Sequence, residues 1–265
     1  MREFFGLSIW VKNHYTYSRP PAGAWSWQHL TFVGFLMALM VALAVYFGKK
    51  YKDKSAREAN RVLVVSAILI NSFEVVKIVV MCIRYQDVWY WRFILPLFLC
   101  SIQLIAIPMA AFCKGRTKEA CLDFVLTFGI LGAVFGTVGS TQNYNAYPVW
   151  SMDNVFSGVT HSISGFASLY IACSGMVSLK WKNFPIALTV LLGTAVIAYI
   201  ANVILDYNYM YLMHHYGTPY SIFYNMVNGH KVLYPMVVVG IFVVYLVLFY
   251  YLYNLIREKK NIVNN

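Results

Sequence analysis

Charge is scarce in this chain. Asp, Glu, Lys and Arg make up only 12% of its 265 residues, whereas soluble domains carry about 25%, so a water-facing globular surface is excluded. Cysteine is sparse too. Cys82, Cys100, Cys113, Cys121 and Cys173 are odd in number and form no CxxC pair, which excludes a disulfide framework and a zinc signature. There is no Walker loop, no glycine-rich dinucleotide turn and no GxSxG, so nucleotide-driven pumping and α/β-hydrolase chemistry have no support. The adjacent His214 and His215 point about 100° apart on a helix. They have no HExxH partner or carboxylate at ligand spacing, so no metal and no cofactor are expected. The apolar stretch near residues 4–11 is short and lacks a cleavage site, which argues against a cleaved leader. No internal repeat breaks the chain into units.

What is abundant is apolar: 60% of residues are hydrophobic and 17% aromatic, with 21 Tyr and 7 Trp. That composition suits a membrane protein with aromatic belts at both interfaces. A helix needs about 20 residues to cross ~30 Å of hydrocarbon. Seven stretches qualify: 29–48, 61–83, 92–112, 121–139, 155–179, 185–206 and 232–256. The expected fold is therefore an all-α seven-transmembrane-helix bundle. It comprises an interfacial segment 1–28, a membrane domain 29–256 and a cytoplasmic tail 257–265.

The net charge of +11 does not imply nucleic acid, because the basic residues sit in short loops between apolar spans. Lys49, Lys50, Lys52, Lys54, Arg57, Arg61, Lys114, Arg116, Lys118, Lys180, Lys182, Arg257, Lys259 and Lys260 fall on one side. Only Arg2, Lys12, Arg19, Arg84, Arg92 and Lys231 fall on the other. The positive-inside rule then places the C-terminus in the cytoplasm and the N-terminus outside. Loops 140–154 and 207–231 would form a lid or vestibule on the outer face.

Against this apolar background, polar residues inside spans carry the information. Asn71, Glu74 and Lys77 are spaced by three, on one helical face. A charged side chain at mid-bilayer costs roughly 2.5–3.5 kcal/mol on insertion scales, so Glu74 and Lys77 need each other or a polar cavity. At 1.5 Å per residue, Glu74, Cys100, His161, Asn202 and Asp206 all fall within ~15 Å of the outer surface. They read as one polar pocket open to the outer leaflet, with Gln103 a turn deeper than Cys100. Bland readings compete. A lone Cys in a span is commonly a small hydrophobe. The stripe Ser157, His161, Ser164 and Ser168 fits close packing as well as a site. Gly129, Gly132 and Gly136 read as packing, and Glu74–Lys77 reads equally as a structural ion pair.

The third stretch contains Leu95-Pro96-Leu97-Phe98-Leu99-Cys100, followed by Pro108. The sixth ends in Asn202, Asp206, Tyr207, Asn208, Tyr209, Met210, Tyr211 and Leu212, with Gly217-Thr218-Pro219 beyond. Together with His161, these pieces resemble the YwaF family of integral membrane proteins, which includes transmembrane protein 164. The resemblance runs from the second span to the seventh. It implies a phospholipid acyltransferase working through a cysteine acyl intermediate, with Cys100 as nucleophile and His161 as its partner. Asn208, Tyr209 and Tyr211 would contact substrate, and a bacterial plasma membrane would be the location. Bacterial members usually read Leu-Pro-Leu-His-Leu-Cys; Phe98 stands here at the His position.

The function expected is thus lipid transacylation, with membrane lipids as substrates. Asn71 or Asn202 would donate to the oxyanion, and Asp206 or Glu74 would orient the imidazole. The rival reading is a non-enzymatic solute or lipid transporter or receptor, for which Glu74, Lys77 and Asp206 would suit proton coupling.

Overall fold

The computed structural model describes residues 1–263, with side chains through residue 257. A short hairpin, β1 (Ile9–Val11) and β2 (His14–Thr16), precedes nine α-helices among the described residues. These are α1 (Trp27–Tyr51), α2 (Ala56–Tyr85), α3 (Gln103–Phe112), α4 (Gly115–Thr137), α5 (Thr141–Ala146), α6 (Met152–Cys173), α7 (Phe184–Leu205), α8 (Ser221–Met226) and α9 (Leu233–Val263). The starts follow local chemistry. Ser26 accepts from the His29 amide, Ser55 and Glu58 form a reciprocal capping box, and Ser151 accepts from the Asn154 amide. Asp206 ends α7 in the left-handed region at φ 49°.

Five helical stretches are long and apolar enough to cross a membrane: Trp27–Tyr51, Ala56–Tyr85, Gly115–Ala146, Trp181–Leu205 and Leu233–Arg257. Their outward faces are aliphatic. Phe35, Ile68, Val75, Ile197, Val203, Ile204 and Leu248 are all half or more exposed, as a lipid-facing surface requires.

Two of the seven expected spans differ. The third, 92–112, is not one helix. A 3-10 turn at Val88–Phe93 gives way to irregular chain around Pro96, where the Leu97 amide bonds back to Leu95 O (2.7 Å). A second 3-10 turn at Leu99–Ile102 then leads into the ten-residue α3. Proline removes an amide and pushes the residue before it out of the α region, so Pro96 breaks what hydropathy alone joins. The fifth, 155–179, is displaced: α6 starts at Met152 and stops at Cys173, where Gly175 takes φ +76°. Its interior is too rich in Ser, Thr, Asn and His to pass as a span on composition. It is the central helix, packed on α4, α1 and α2. The expected tail 257–265 is in part a continuation of α9; its last two residues lie outside those described.

Contacts sort the helix ends into two groups. At one, Asn60 at the start of α2 donates to Ala111 O at the end of α3 (2.7 Å). Tyr170 near the end of α6 donates to Ala59 O (2.8 Å). There the buried Asp123 of α4 accepts from the Leu179 amide (2.7 Å), Asn183 (3.2 Å) and the Tyr250 hydroxyl (3.1 Å). At the other end, Arg84 of α2 clamps Asp153 of α6 through both carboxylate oxygens (3.1 and 2.9 Å).

Arg84 also ties down the N-terminal segment. It donates to Phe5 O (3.2 and 2.7 Å) and to the Tyr17 hydroxyl (2.9 Å). Tyr17 in turn donates to Asp153. Burial, and then the neighbouring Asp153 carboxylate, push the Tyr17 phenol well above its usual range, so it remains a donor. Gly6, at φ +66°, lies against the guanidinium where a Cβ would clash. Phe4 and Phe5 fill the apolar space beside Met81, Met152 and Phe156.

The Arg84 side chain is 3% exposed, and removing one partner of a buried pair typically costs about 3–5 kcal/mol. Arg84→Ala is therefore expected to free residues 1–26 while the helices stay folded. Limited trypsin digestion should cut after Lys12 in the variant and spare it in wild type. Equal resistance of the two proteins would show that the clamp is dispensable.

Candidate functional site

The broken third segment creates the site. Because the chain is extended before Leu99, the short turn Leu99–Ile102 begins inside the bundle and carries Cys100 in its first residues. The Ser101 and Ile102 amides bond back to Phe98 O (2.9 and 3.2 Å). The Leu99 and Cys100 amides precede these first helical bonds, at the positive end of the segment.

A cavity of about 230 Å³ opens beside this turn, lined by Glu74 and Lys77 of α2, Cys100 and Ser101, and Ser157, His161 and Ser164 of α6. Asn143, Tyr147 and Asp153 line its outer part. Loop 140–154 therefore borders the cavity, whereas loop 207–231 contributes nothing to its lining. Asp153 belongs both to the cavity and to the Arg84 clamp, so the N-terminal segment is fastened to the cavity's rim.

His161 is held in one tautomer. Its Nδ1 lies 2.7 Å from Ser157 O and 3.4 Å from Ser157 Oγ. A carbonyl only accepts, which assigns the proton to Nδ1 and leaves a lone pair on Nε2. The Cys100 thiol, the Ser101 hydroxyl and this imidazole line the same cavity. Helix α4 supplies the wall behind both. Gly132 faces Cys100, whose Cβ stands 3.6 Å from where an added Cβ would lie, and Gly136 faces the His161 ring, which such an atom would overlap. Two of the three glycines that read as packing, Gly132 and Gly136, thus pack against the candidate site residues.

Glu74 and Lys77 meet inside the cavity at 2.7 Å. Their shared helical face is as the spacing implied, and each neutralises the other.

Several expected members of the pocket are elsewhere. Asn71 does not line it; its amide donates to Ala67 O (2.9 Å) and Leu104 O (3.2 Å), joining α2 to α3. Asn202 accepts from the Tyr209 amide and donates to Tyr209 O (3.0 Å), so both ends are occupied in closing the turn after α7. Asp206 is exposed at the cap of α7 and holds no imidazole; Ser157 O performs that task. The Gln103 side chain is fully buried without a hydrogen-bond partner, and it too stands outside the cavity lining.

The expected substrate contacts are structural in the same way. Asn208 accepts from the Met213 and His214 amides and donates to His214 O. Tyr209 donates to Arg92 O (2.6 Å) and accepts from the Leu95 amide (3.1 Å). Tyr211 packs its ring 5.9 Å from Phe98. Phe98 therefore stands in this aromatic wall, between Tyr209 and Tyr211, and is not part of the cavity lining.

The sequence placed Tyr147 and Asp153 only within the lid or vestibule loop 140–154, gave Ser101 no role, and counted Arg84 only as a loop charge. One signal was available. Asp153, Ser157 and His161 are spaced by four on one face of α6, and Arg84 ends the neighbouring helix at the same level.

Gly136→Ala should destabilise the protein and tilt the imidazole, since overfilling a packed interior costs about 1–3 kcal/mol. Gly193→Ala, in open space on α7, should instead be neutral or stabilising by up to ~1 kcal/mol through helix propensity. Thermal unfolding in detergent compares the two. A Gly136→Ala protein as stable as Gly193→Ala would mean that α4 and α6 are not in close contact here.

No curated protein and no solved structure gives a match to this chain. A family model does. It spans residues 24–259, from just before α1 to near the end of α9, and leaves out only most of the docked N-terminal segment and the last residues. It covers the broken third segment, Cys100, His161 and both glycines of α4 that stand behind them. The chain belongs to the TMEM164 family.

Proposed function

We propose that this protein is a multi-pass protein of the cell membrane, in a bacterium the plasma membrane, that transfers acyl groups between lipids through Cys100. In this reading the chain crosses seven times. Five crossings are the long apolar helices, one is α6, and one is the irregular stretch around Pro96 continued by Leu99–Phe112. The helix ends gathered around Asp123 carry most of the Lys and Arg and face the cytoplasm. The Arg84 end, with the cavity and the N-terminal segment, faces outward.

The carrying observation is the fixed imidazole: Ser157 O holds Nδ1–H at 2.7 Å, which leaves Nε2 free to act as a base beside the Cys100 thiol. In the first half-reaction the thiol proton passes to Nε2 and sulfur attacks a lipid ester carbonyl. The tetrahedral oxyanion forms at the start of the helical segment, where the Leu99 and Cys100 amides can donate to it. As it collapses, the alcohol oxygen of the donor lipid leaves with the proton from His161, and the acyl group remains as a thioester. In the second half-reaction an acceptor lipid hydroxyl gives its proton to Nε2 and attacks the thioester. The thiolate departs and is reprotonated by His161. A cavity within the bundle limits water, the competing acceptor. Phe98 packs in the aromatic wall, so the family-typical histidine at that position is not required by this scheme. A proton-coupled carrier would need a free intramembrane charge, and Glu74 and Lys77 are engaged with each other.

Cys100→Ala should abolish acyl transfer, and His161→Ala should lower it about 100-fold, the usual scale of general-base assistance. Cys173→Ser, at the far end of α6, should leave it unchanged. Purified wild type incubated with radiolabelled phospholipid should carry hydroxylamine-labile acyl groups that Cys100→Ala lacks. Full activity of Cys100→Ala would end the enzyme reading.

Orientation has its own test. A cysteine at Tyr216→Cys should react with an impermeant maleimide in intact cells, scored against the unsubstituted chain, and Lys52→Cys should not. The opposite pattern would invert the protein.

A further inference from the structure

A second recess, of about 420 Å³, lies between α1, α2 and α6. It is a slot rather than a chamber. Helix α1 packs on α6 and hardly touches α2. Gly158 and Gly165 admit Leu36 and Met40 of α1 to the α6 surface, and α6 forms the floor. The walls are aliphatic and aromatic, including Leu39, Leu43, Phe47, Val65 and Leu69. One end is different: Tyr51 and Arg61, on facing ends of α1 and α2, close it. Arg61 makes no salt bridge among the described residues. The carboxylate one turn before it, Glu58, is held by the Ser55 amide and hydroxyl in the capping box. Lys50 adds a second cation, 5.9 Å from the Tyr51 ring.

We infer that this slot binds one glycerophospholipid from the leaflet at the Lys- and Arg-rich end, with an acyl chain between α1 and α2 and its phosphate at Arg61. The inference is independent of acyl transfer at Cys100. Along α1 the lining runs from Leu36 to Tyr51, roughly 22 Å at 1.5 Å per residue. One leaflet contributes about half of the ~30 Å hydrocarbon core, so a long chain lies fully inside the slot. Its volume is on the scale of one such chain. Water cannot fill an aliphatic slot that opens toward hydrocarbon, and a guanidinium at its mouth that makes no direct salt bridge selects an anionic group over a bare hydrocarbon.

The test uses the full-length protein in nanodiscs containing a phospholipid with a diazirine on its acyl chain. A diazirine diacylglycerol serves as the phosphate-free arm. After photolysis, adducts should concentrate on α1 and α2 residues of the slot, exceeding by about fivefold those on the outward face of α9. Leu43→Trp, which fills the slot, should remove the excess while α9 labelling persists as the folding control. Arg61→Gln should lower phospholipid labelling about fivefold and leave diacylglycerol labelling unchanged. Excess inorganic phosphate should not compete, because the chain provides most of the binding. Slot labelling no higher than on α9 would mean ordinary annular lipid and would overturn the inference. So would phospholipid labelling that Arg61→Gln leaves intact, or labelling that free phosphate abolishes.

Discussion

The close approach of α4 and α6 is the constraint on which the rest depends. Gly129 lies against the backbone of Ser164, Gly165 against Ala133, and Gly136 against the His161 ring. Ser168 donates to Leu126 O at 2.6 Å across the same contact. Without apolar solvent-exclusion between helices in a bilayer, association relies on such backbone proximity and on interhelical hydrogen bonds. Bringing the two axes together sets where His161 points and how deep the cavity is. It also fixes which face of α6 is left for α1. The candidate site is therefore a by-product of a packing surface, and the serine stripe serves that packing. Ser168 and Ser164 pack, while Ser157 holds the imidazole.

The long apolar helices were legible from hydropathy because lipid imposes length and composition directly. Their boundaries fell within a few residues of expectation for α1, α7, the end of α4 and the start of α9, whereas α4 starts six residues earlier, at Gly115. The third segment was misread for an identifiable reason. Hydropathy sums side chains, and the stretch around Leu95, Pro96 and Leu97 is apolar whether or not it is helical. The break is a backbone effect of Pro96, and it matters because it puts the start of a helical segment inside the bundle. The fifth segment was placed in the right region but ran past Gly175, whose left-handed backbone stops the helix.

Polar residues inside spans were recognisable as exceptional, but their partners were not. Asn71, Asn202 and Asn208 looked like members of a site, yet each bonds backbone carbonyls of nearby segments. A sequence states that such a residue needs a partner and is silent on whether the partner is a ligand or a nearby carbonyl. The charges followed the same rule. Glu74 and Lys77, three apart, could be paired on paper. Arg84 and Asp153 lie 69 positions apart and could be joined only by the fold. Cys100 and His161 were brought to one cavity by family resemblance and by depth; spacing alone gave no link between them.

The polarity of α6 has a consequence for biogenesis. A helix with so many hydroxyls, an aspartate and a histidine cannot rest stably in hydrocarbon by itself, unlike α1 or α9. Its main neighbours, α4, α1 and α2, all precede it in the chain. By the time α6 leaves the ribosome, the helices that shield it already exist. They form a berth into which it moves as an assembled partner rather than as an independent insertion. α1, by contrast, enters the membrane about a hundred residues before the helix that will hold it. It must persist there as a solitary span, which its uninterrupted apolar surface permits. The order of elements along the chain is thus also an order of assembly, in which the least lipid-soluble helix comes after those that make it soluble.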